Sequence, residues 1–317
     1  MKSKLILLTL LFISGSLFAQ SDWSKYNFEK ENKRKVKING GGAKALKNNK
    51  TFINGYAVHQ ATYMKGSESS ATKAVYSRAG LGGLDNPSYQ KMVDGLYTEL
   101  VDGLKDAGLN ITDGEDVLAS DFATKRKAKD KNGESIGNVG TETSYTGKKK
   151  ISEGSMPGYT VWAVHEDVSF RPTNANIYLS TNILSMGNFY QKLVQKEEYN
   201  LMMVDFYVTF ASFDGGRGYK NISLETNAVM AVSVKVWVMT AGGKAEIYYK
   251  DMPVWGGDDW SLGLEKVKDN ASTSEWLGLA RSGEYYVMAD PEKYISEVKS
   301  MISSLQKDLI KGIKSEL

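Results

Sequence analysis

Cysteine is absent from the 317 residues. That excludes disulfides, thiolate metal sites, iron–sulfur clusters, cysteine nucleophiles and a lipid-modified amino-terminal cysteine. Histidine is nearly absent too: His59 and His165 are the only two, too few for a histidine-based metal site without carboxylates. Proline occurs five times against 31 glycines, a ratio that fits a folded chain with glycine turns and not an extended proline-rich one. Charge of one sign is also missing. The formal net is +3, and removing residues 1–19 takes away Lys2 and Lys4 and no acid, leaving 38 bases against 37 acids. So balanced a chain has no electrostatic case for nucleic acid or anionic membrane as its main partner.

The one strongly apolar run is at the start. Lys2 and Lys4 precede Leu5–Ile13, followed by Ser14-Gly15-Ser16-Leu17-Phe18-Ala19. A charged start, a short apolar stretch and a small-residue end are the three parts of a secretory leader, and cleavage is expected after Ala19. The run is too short to cross about 30 Å of hydrocarbon comfortably, and no later segment reaches 18 apolar residues. The expected product is an exported protein, periplasmic or secreted, with no transmembrane helix in its mature form. The terminal Lys314-Ser315-Glu316-Leu317 completes an amphipathic helix and needs no reading as a retention signal.

Residues 20–50 read as a polar, basic lead-in. Lys33-Arg34-Lys35, Lys37, Lys44, Lys47 and Lys50 surround Gly40-Gly41-Gly42, which no Gly-Lys-Ser/Thr follows, so the triplet is not a phosphate loop. Residues 51–317 read as one α/β domain (α+β is the neighbouring possibility), with a mixed, partly antiparallel sheet covered by amphipathic helices. Two long loops are expected, at about 65–88 and 121–158, the second carrying lysine clusters at 125–131 and 148–150.

Aromatic and β-branched residues over Phe52–Tyr63 predict a strand. Met92, Val93, Leu96, Tyr97, Leu100, Val101 and Leu104 recur at helical steps, and Gly108 supplies a stop. Leu109–Ile111 is a short strand candidate and Asp113–Ser120 starts another helix. Tyr159–Phe170 reads as a strand and Leu184–Gln195 as a helix. Met202, Val204, Phe206, Val208 and Phe210 share one face by a two-residue period, as do Met230, Val232, Val234, Val236 and Val238. Ala241-Gly242-Gly243 then marks a hairpin. Asp290 and Pro291 suit the cap and first turn of a final helix, whose stripe is Ile295, Val298, Met301, Ile302, Leu305, Leu309 and Ile313.

The helix Val93–Lys105 ending at Gly108, the short strand Leu109–Ile111 and the acidic turn Thr112-Asp113-Gly114-Glu115-Asp116 resemble the opening α/β unit of curli-assembly (CsgG-like) and TolB amino-terminal-like domains. Asn200–Phe206, and Val232–Val238 with Gly242-Gly243-Lys244, resemble the strand and hairpin of that group's second half. The likeness spans about two thirds of the mature chain and rests on pattern. Pore-forming members use a lipidated cysteine, which this chain lacks, and no pair of long lipid-facing hairpins is evident. The resemblance therefore implies an exported accessory or binding module without a pore. The partner is left open, with envelope proteins or glycans as the candidates, and no cofactor is expected.

Catalytic strings are few. Gly133-Glu134-Ser135-Ile136-Gly137 has the letters of a nucleophile elbow, but the charged Lys125–Asn132 precedes it where a buried strand is required. Ser70-Ala71-Thr72-Lys73 lacks the companion strings of a serine–lysine site, and Asp214-Gly215-Gly216-Arg217-Gly218 reads as a loop between strands. His165 and Asp167 fall on one strand face, a geometry for orienting an imidazole or offering two metal ligands, though equally that of an ordinary strand. His59 reads as a packed, satisfied histidine. Trp255-Gly256-Gly257-Asp258-Asp259-Trp260 is the most distinctive string: two indoles and two carboxylates that suit a sugar or cation, or else a glycine turn with tryptophan packed beneath it. The candidate ligand-binding residues are therefore Trp255, Asp258, Asp259, Trp260, His165 and Asp167. A non-enzymatic envelope module leads, with a carbohydrate- or small-ligand-binding protein using exposed aromatics and a carboxylate-based hydrolase as alternatives.

Overall fold

The computed structural model describes residues 40–69, 74–121, 137–138, 147–153, 161–173, 178–179, 186–217, 222–241, 243–245, 254–268 and 280–317. The leader, Lys33–Lys37, Ser70–Lys73, Ser135 and the lysine cluster at 125–131 lie outside them. In chain order the elements are α1 (Gly40–Asn48), β1 (Lys50–Ser69), β2 (Ala74–Gly82), α2 (Asn86–Asp106), β3 (Asn110–Thr112), α3 (Gly114–Ala119), β4 (Gly137–Asn138), β5 (Gly147–Glu153), β6 (Val161–Phe170) and β7 (Tyr178–Leu179). There follow α4 (Met186–Glu197), β8 (Asn200–Thr209), β9 (Ser212–Arg217), β10 (Ile222–Asn227), β11 (Ala231–Thr240), β12 (Gly243–Ala245), β13 (Val254–Trp255), β14 (Ser261–Lys268), β15 (Ala280–Ala289) and α5 (Pro291–Glu316).

The spine is β1, 20 residues long. Its first half pairs in parallel with β8, from Thr51 opposite Asn200 to Gln60 opposite Val208. Its second half pairs antiparallel with β2, from Tyr63 opposite Gly80 to Ser69 opposite Ala74. Strand β6 runs antiparallel along residues 58–67 and so overlaps both partners. A strand has two edges, so β8 and β2 must follow one another along the edge that β6 does not use. The register shift between Ala61 and Tyr63 marks the changeover, as a bulge bends a strand and raises its twist. The sheet thus forks into one wing of β12, β11 and β8 and another of β2, β15 and β14. It is a mixed α/β sheet: β1–β8, β1–β3 and β15–β2 are parallel, and the remaining pairs are antiparallel.

Two helices cover one face. The α2 stripe Tyr89, Met92, Val93, Leu96, Leu100 and Leu104 and the α5 stripe Tyr294, Val298, Met301, Ile302, Leu305, Leu309 and Ile313 are buried, in one cluster with Val204, Phe206, Val208, Val232, Val234, Val236 and Val238. Ile295 is only partly buried at the border of that cluster. Both helix ends follow local chemistry. Asp290 accepts the Lys293 amide at 3.2 Å, satisfying a first-turn donor. Gly108 takes φ +98 after α2, and the amides of Gly108 and Leu109 reach back to the Lys105 and Leu104 carbonyls, a Schellman closure that needs the left-handed glycine. Two polar pairs inside the core join elements: Gln306 donates to the Tyr56 hydroxyl at 2.8 Å, and Tyr89 donates to Gln60 Oε1 at 2.9 Å. Burial raises the pKa of Tyr56 and Tyr89 far above the ordinary phenol value, so both stay neutral.

The opposite face is covered at one end by α3 and α4, where Val117, Tyr190, Leu193 and Val194 meet Phe52 and Leu201. Beyond that cluster this face becomes polar.

Four expectations need correction. The described part of 65–88, residues 65–69 and 74–88, is not loop: it completes β1, forms β2 and enters α2, with Ser77 and Ala79 buried inward while Tyr76 and Arg78 alternate outward. The lead-in does not extend to residue 50: Gly40–Asn48 is helical with Leu46 buried, and Asn200 Nδ2 clamps its end by donating to the Ala45 carbonyl at 3.1 Å. Part of the Asp214–Gly218 string is strand, since Ser212–Arg217 pairs with β10; glycine supplies the same backbone donors and acceptors as any residue. Within 121–158, residues 147–153 form β5 on β6. Among the described residues no helix is long and apolar enough to cross a membrane.

Candidate functional site

Parallel pairing sets His59 opposite Tyr207 and Ala57 opposite Asp205; antiparallel pairing sets His59 opposite Ser169 and Ala61 opposite Asp167. Because side chains on neighbouring strands in register share a face, these pairings gather one imidazole, two carboxylates, a hydroxyl and a phenol ring from three strands. The His59 ring stacks on Tyr207, with centroids 4.7 Å apart and planes 11° from parallel. Its Nδ1 lies 2.6 Å from Ser169 Oγ and 3.4 Å from Asp167 Oδ2, while its Nε2 lies 3.6 Å from Asp205 Oδ1. The side chains are shielded: 15% exposed for His59, 6% for Asp167 and 25% for Asp205. Lys235 of β11 stands opposite Asp205 and is exposed.

The cluster is built for imidazolium. Burial alone pulls the His59 pKa down, but Asp167 and Asp205, one at each ring nitrogen, outweigh it and hold the value above the ordinary histidine figure. A folded-state pKa above the unfolded value means the stabilisation is complete below about pH 6.5, the unfolded value, and is lost as pH rises through the folded pKa. With two histidines in the chain, a proton NMR titration resolves both rings. The signal that His59→Asn removes is expected to titrate above 6.5; a midpoint at or below 6.5 would contradict the ion-paired geometry.

The order Ser169, His59, Asp205 has the residue types of a hydrolytic triad, but Ser169 is 2% exposed. Its neighbours Val168 and Phe170 are laced into the β1 ladder. No substrate carbonyl reaches Oγ without opening the sheet, and a nucleophile must be accessible to its acyl donor. Among the described residues no group of three or more His, Asp or Glu side chains has the geometry to hold a metal ion.

The sequence candidates are dispersed. Asp167 belongs to the cluster, where its described cation is His59; His165 lies on the same strand, paired in register with Met64. Trp255 ends β13 opposite Ala231 and is 43% exposed, while Trp260 is 1% exposed. The Trp260 indole donates to the Gly257 carbonyl at 2.8 Å, and its ring packs edge-on against Tyr294 at 4.9 Å. Gly256 donates to the Met230 carbonyl at 2.7 Å, and Asp290 to the Trp260 carbonyl at 2.8 Å. The string is a clasp that carries the chain over the start of α5. Its two indoles face different media and do not form a clamp, and Asp258 and Asp259 are exposed on the turn.

Sequence reasoning missed Asp205 and Ser169 as partners of His59. One signal was available: Asp205 is the sole charged residue of β8, placed in the polar phase of its alternation. No family model, curated protein or solved structure matches the chain.

Proposed function

We propose that the chain is an exported, non-enzymatic accessory or binding module of the cell envelope, of the kind that the CsgG-like and TolB amino-terminal-like resemblance implies. The observation that carries this reading is a surface. Of the four exposed large hydrophobic residues described, Leu262, Tyr286 and Met288 all belong to the β14–β15 hairpin, and Trp255 lies apart. Exposed apolar groups gathered on one element mark recognition, whereas apolar residues scattered singly need no explanation. The buried hydroxyl of Ser169 and the solvent-facing Asp258 and Asp259 further favour binding over turnover. The helix–Gly108–β3–Asp113 order supports the resemblance in its opening unit, where Asp113 caps α3 by accepting the Asp116 amide at 3.0 Å.

The test joins address and chemistry. Material recovered from the periplasm or medium is expected to begin at Gln20 or Ser21, and a fluorophosphonate probe is expected to leave Ser135 and Ser169 unlabelled. Intact Met1 in that material would overturn export. Labelling at either serine, with an activity lost on its replacement by Ala, would overturn the non-enzymatic reading.

A further inference from the structure

The outward face of the second wing has a definite relief. In β15 the side chains of Val287 and Ala289 are buried, so Tyr286 and Met288 point away from the core. Tyr286 stands opposite Gly80 of β2 and Glu265 of β14; Met288 stands opposite Gly82 and Gly263. Both neighbours of Met288 and one neighbour of Tyr286 are therefore glycines. The Tyr286 ring occupies the space they leave. A Cβ added at Gly80 would sit 3.2 Å from its Cδ2, and one added at Gly82 would overlap its hydroxyl end. The ring thus lies along β2 from Gly80 towards Gly82, covering bare backbone as an aromatic does beside strand glycines. Its other side faces solvent, at 40% exposure. Met288 at 37% and Leu262 at 68%, in the bulge between Ser261 and Gly263, extend the apolar surface. Charged hydrogen-bonding groups border it: Glu265 opposite Tyr286, and Arg78 two residues before Gly80. Tyr76, the one aromatic of β2, is engaged already by the Lys65 ammonium, 4.9 Å from its ring centroid.

We infer that this face binds glycan, with Tyr286 as the stacking platform and an extended β-1,4-linked, gluco-configured chain as the ligand class. This rests on the reading of the protein as a binding module and names its ligand. Gluco-configured rings present axial C–H bonds on both flat faces and hydroxyls around the rim. A flat aromatic ring with aliphatic neighbours matches the first, and flanking carboxylate and guanidinium groups match the second. A β-1,4 chain is an extended ribbon, a shape that can lie along the strip formed by the Tyr286 ring and Met288; an α-1,4 chain coils away from it. Exposed tyrosine and arginine also serve protein interfaces, and sedimentation separates that occupant from glycan.

The experiment is isothermal titration of the purified protein with cellohexaose and chitohexaose, using maltohexaose as the coiled comparison. One of the β-1,4 hexasaccharides is expected to bind roughly tenfold or more tightly than maltohexaose, and Tyr286→Ala to weaken it by about tenfold or more while still unfolding in one cooperative transition well above the titration temperature. Tyr286→Trp is expected to retain binding. Absence of binding by both hexasaccharides, or equal affinity in well-folded Tyr286→Ala, would overturn the platform. So would a wild-type dimer that Tyr286→Ala dissociates in sedimentation, since the face would then be a protein interface. Hydrolysis of a bound hexasaccharide, followed by chromatography of the same samples, would overturn the non-enzymatic reading and leave the platform standing.

Discussion

Replacing Phe206 with Ala is expected to destabilise the protein by about 3–5 kcal/mol, the usual range for emptying a buried aromatic site. Phe206 is fully buried. It stands opposite Val58 of β1 and Val234 of β11, and its ring centroid is 5.8 Å from that of Tyr56. The neighbours are poorly placed to collapse into the void, because strand pairing fixes the backbone on both sides and α5 closes the third. A urea titration should show a lower midpoint with an unchanged slope, the signature of lost stability without a changed denatured state. A loss under about 1 kcal/mol would show that this face does not form the core.

Phe206 was legible because its strand is strongly periodic and walled in on both edges. The same holds for β11, α2 and α5, where one apolar face meets one uninterrupted packing surface. The second wing was not legible, and the reason is residue size. Its inward positions include Ser77, Ala79 and Ala289, which carry little hydrophobic signal although all are buried. Its outward positions include Gly80 and Gly82, which read as turn residues until Tyr286 is seen to need their space. In β14 two register shifts, at Ser261/Gly263 and Lys266/Lys268, break the alternation. The short α1 opens on three glycines, the poorest helix formers after proline; Leu46 and the Asn200 clamp hold it in place of propensity.

The site was half legible for a related reason. That Asp167 lies on an inward-accessible strand face follows from the two-residue period. That it meets His59 depends on the antiparallel register of β6, and that Asp205 does so depends on the parallel register of β8. These registers join residues more than a hundred positions apart and are set by the whole hydrophobic pattern together with the bulges near Ile53 and Ala61. Trp260 shows the converse. Its neighbourhood of glycines and acids suits an exposed binder or a turn with tryptophan packed beneath it, and Tyr294 of α5, 34 positions on, supplies the packing surface that decides for the turn at this residue.

The largest polar effect is expected at His59. Its replacement by Leu takes from the Asp167 carboxylate, on a side chain 6% exposed, and from Asp205 the imidazolium that each of them faces. Breaking a buried pair costs about 3–5 kcal/mol where the remaining charge is left wholly uncompensated; Asp167 keeps a further interaction and Asp205 is partly solvated, so a loss of about 1–3 kcal/mol is expected. The effect should therefore be strongly non-additive. Replacing both His59 and Asp167 with Leu removes the buried carboxylate as well as its bond to the imidazole, so the double variant should recover part of the loss, with a coupling energy of about 1 kcal/mol or more. Ser169 remains beside the new leucine and limits the recovery, since its hydroxyl is then left to find another acceptor. Denaturant titrations of the wild type, both single variants and the double variant at pH 6 supply the cycle, in a range where His59 carries its charge. Additive losses, or a His59→Leu penalty under about 1 kcal/mol, would show that the carboxylates answer to solvent and not to His59, and that the three strands are held at this point by packing alone.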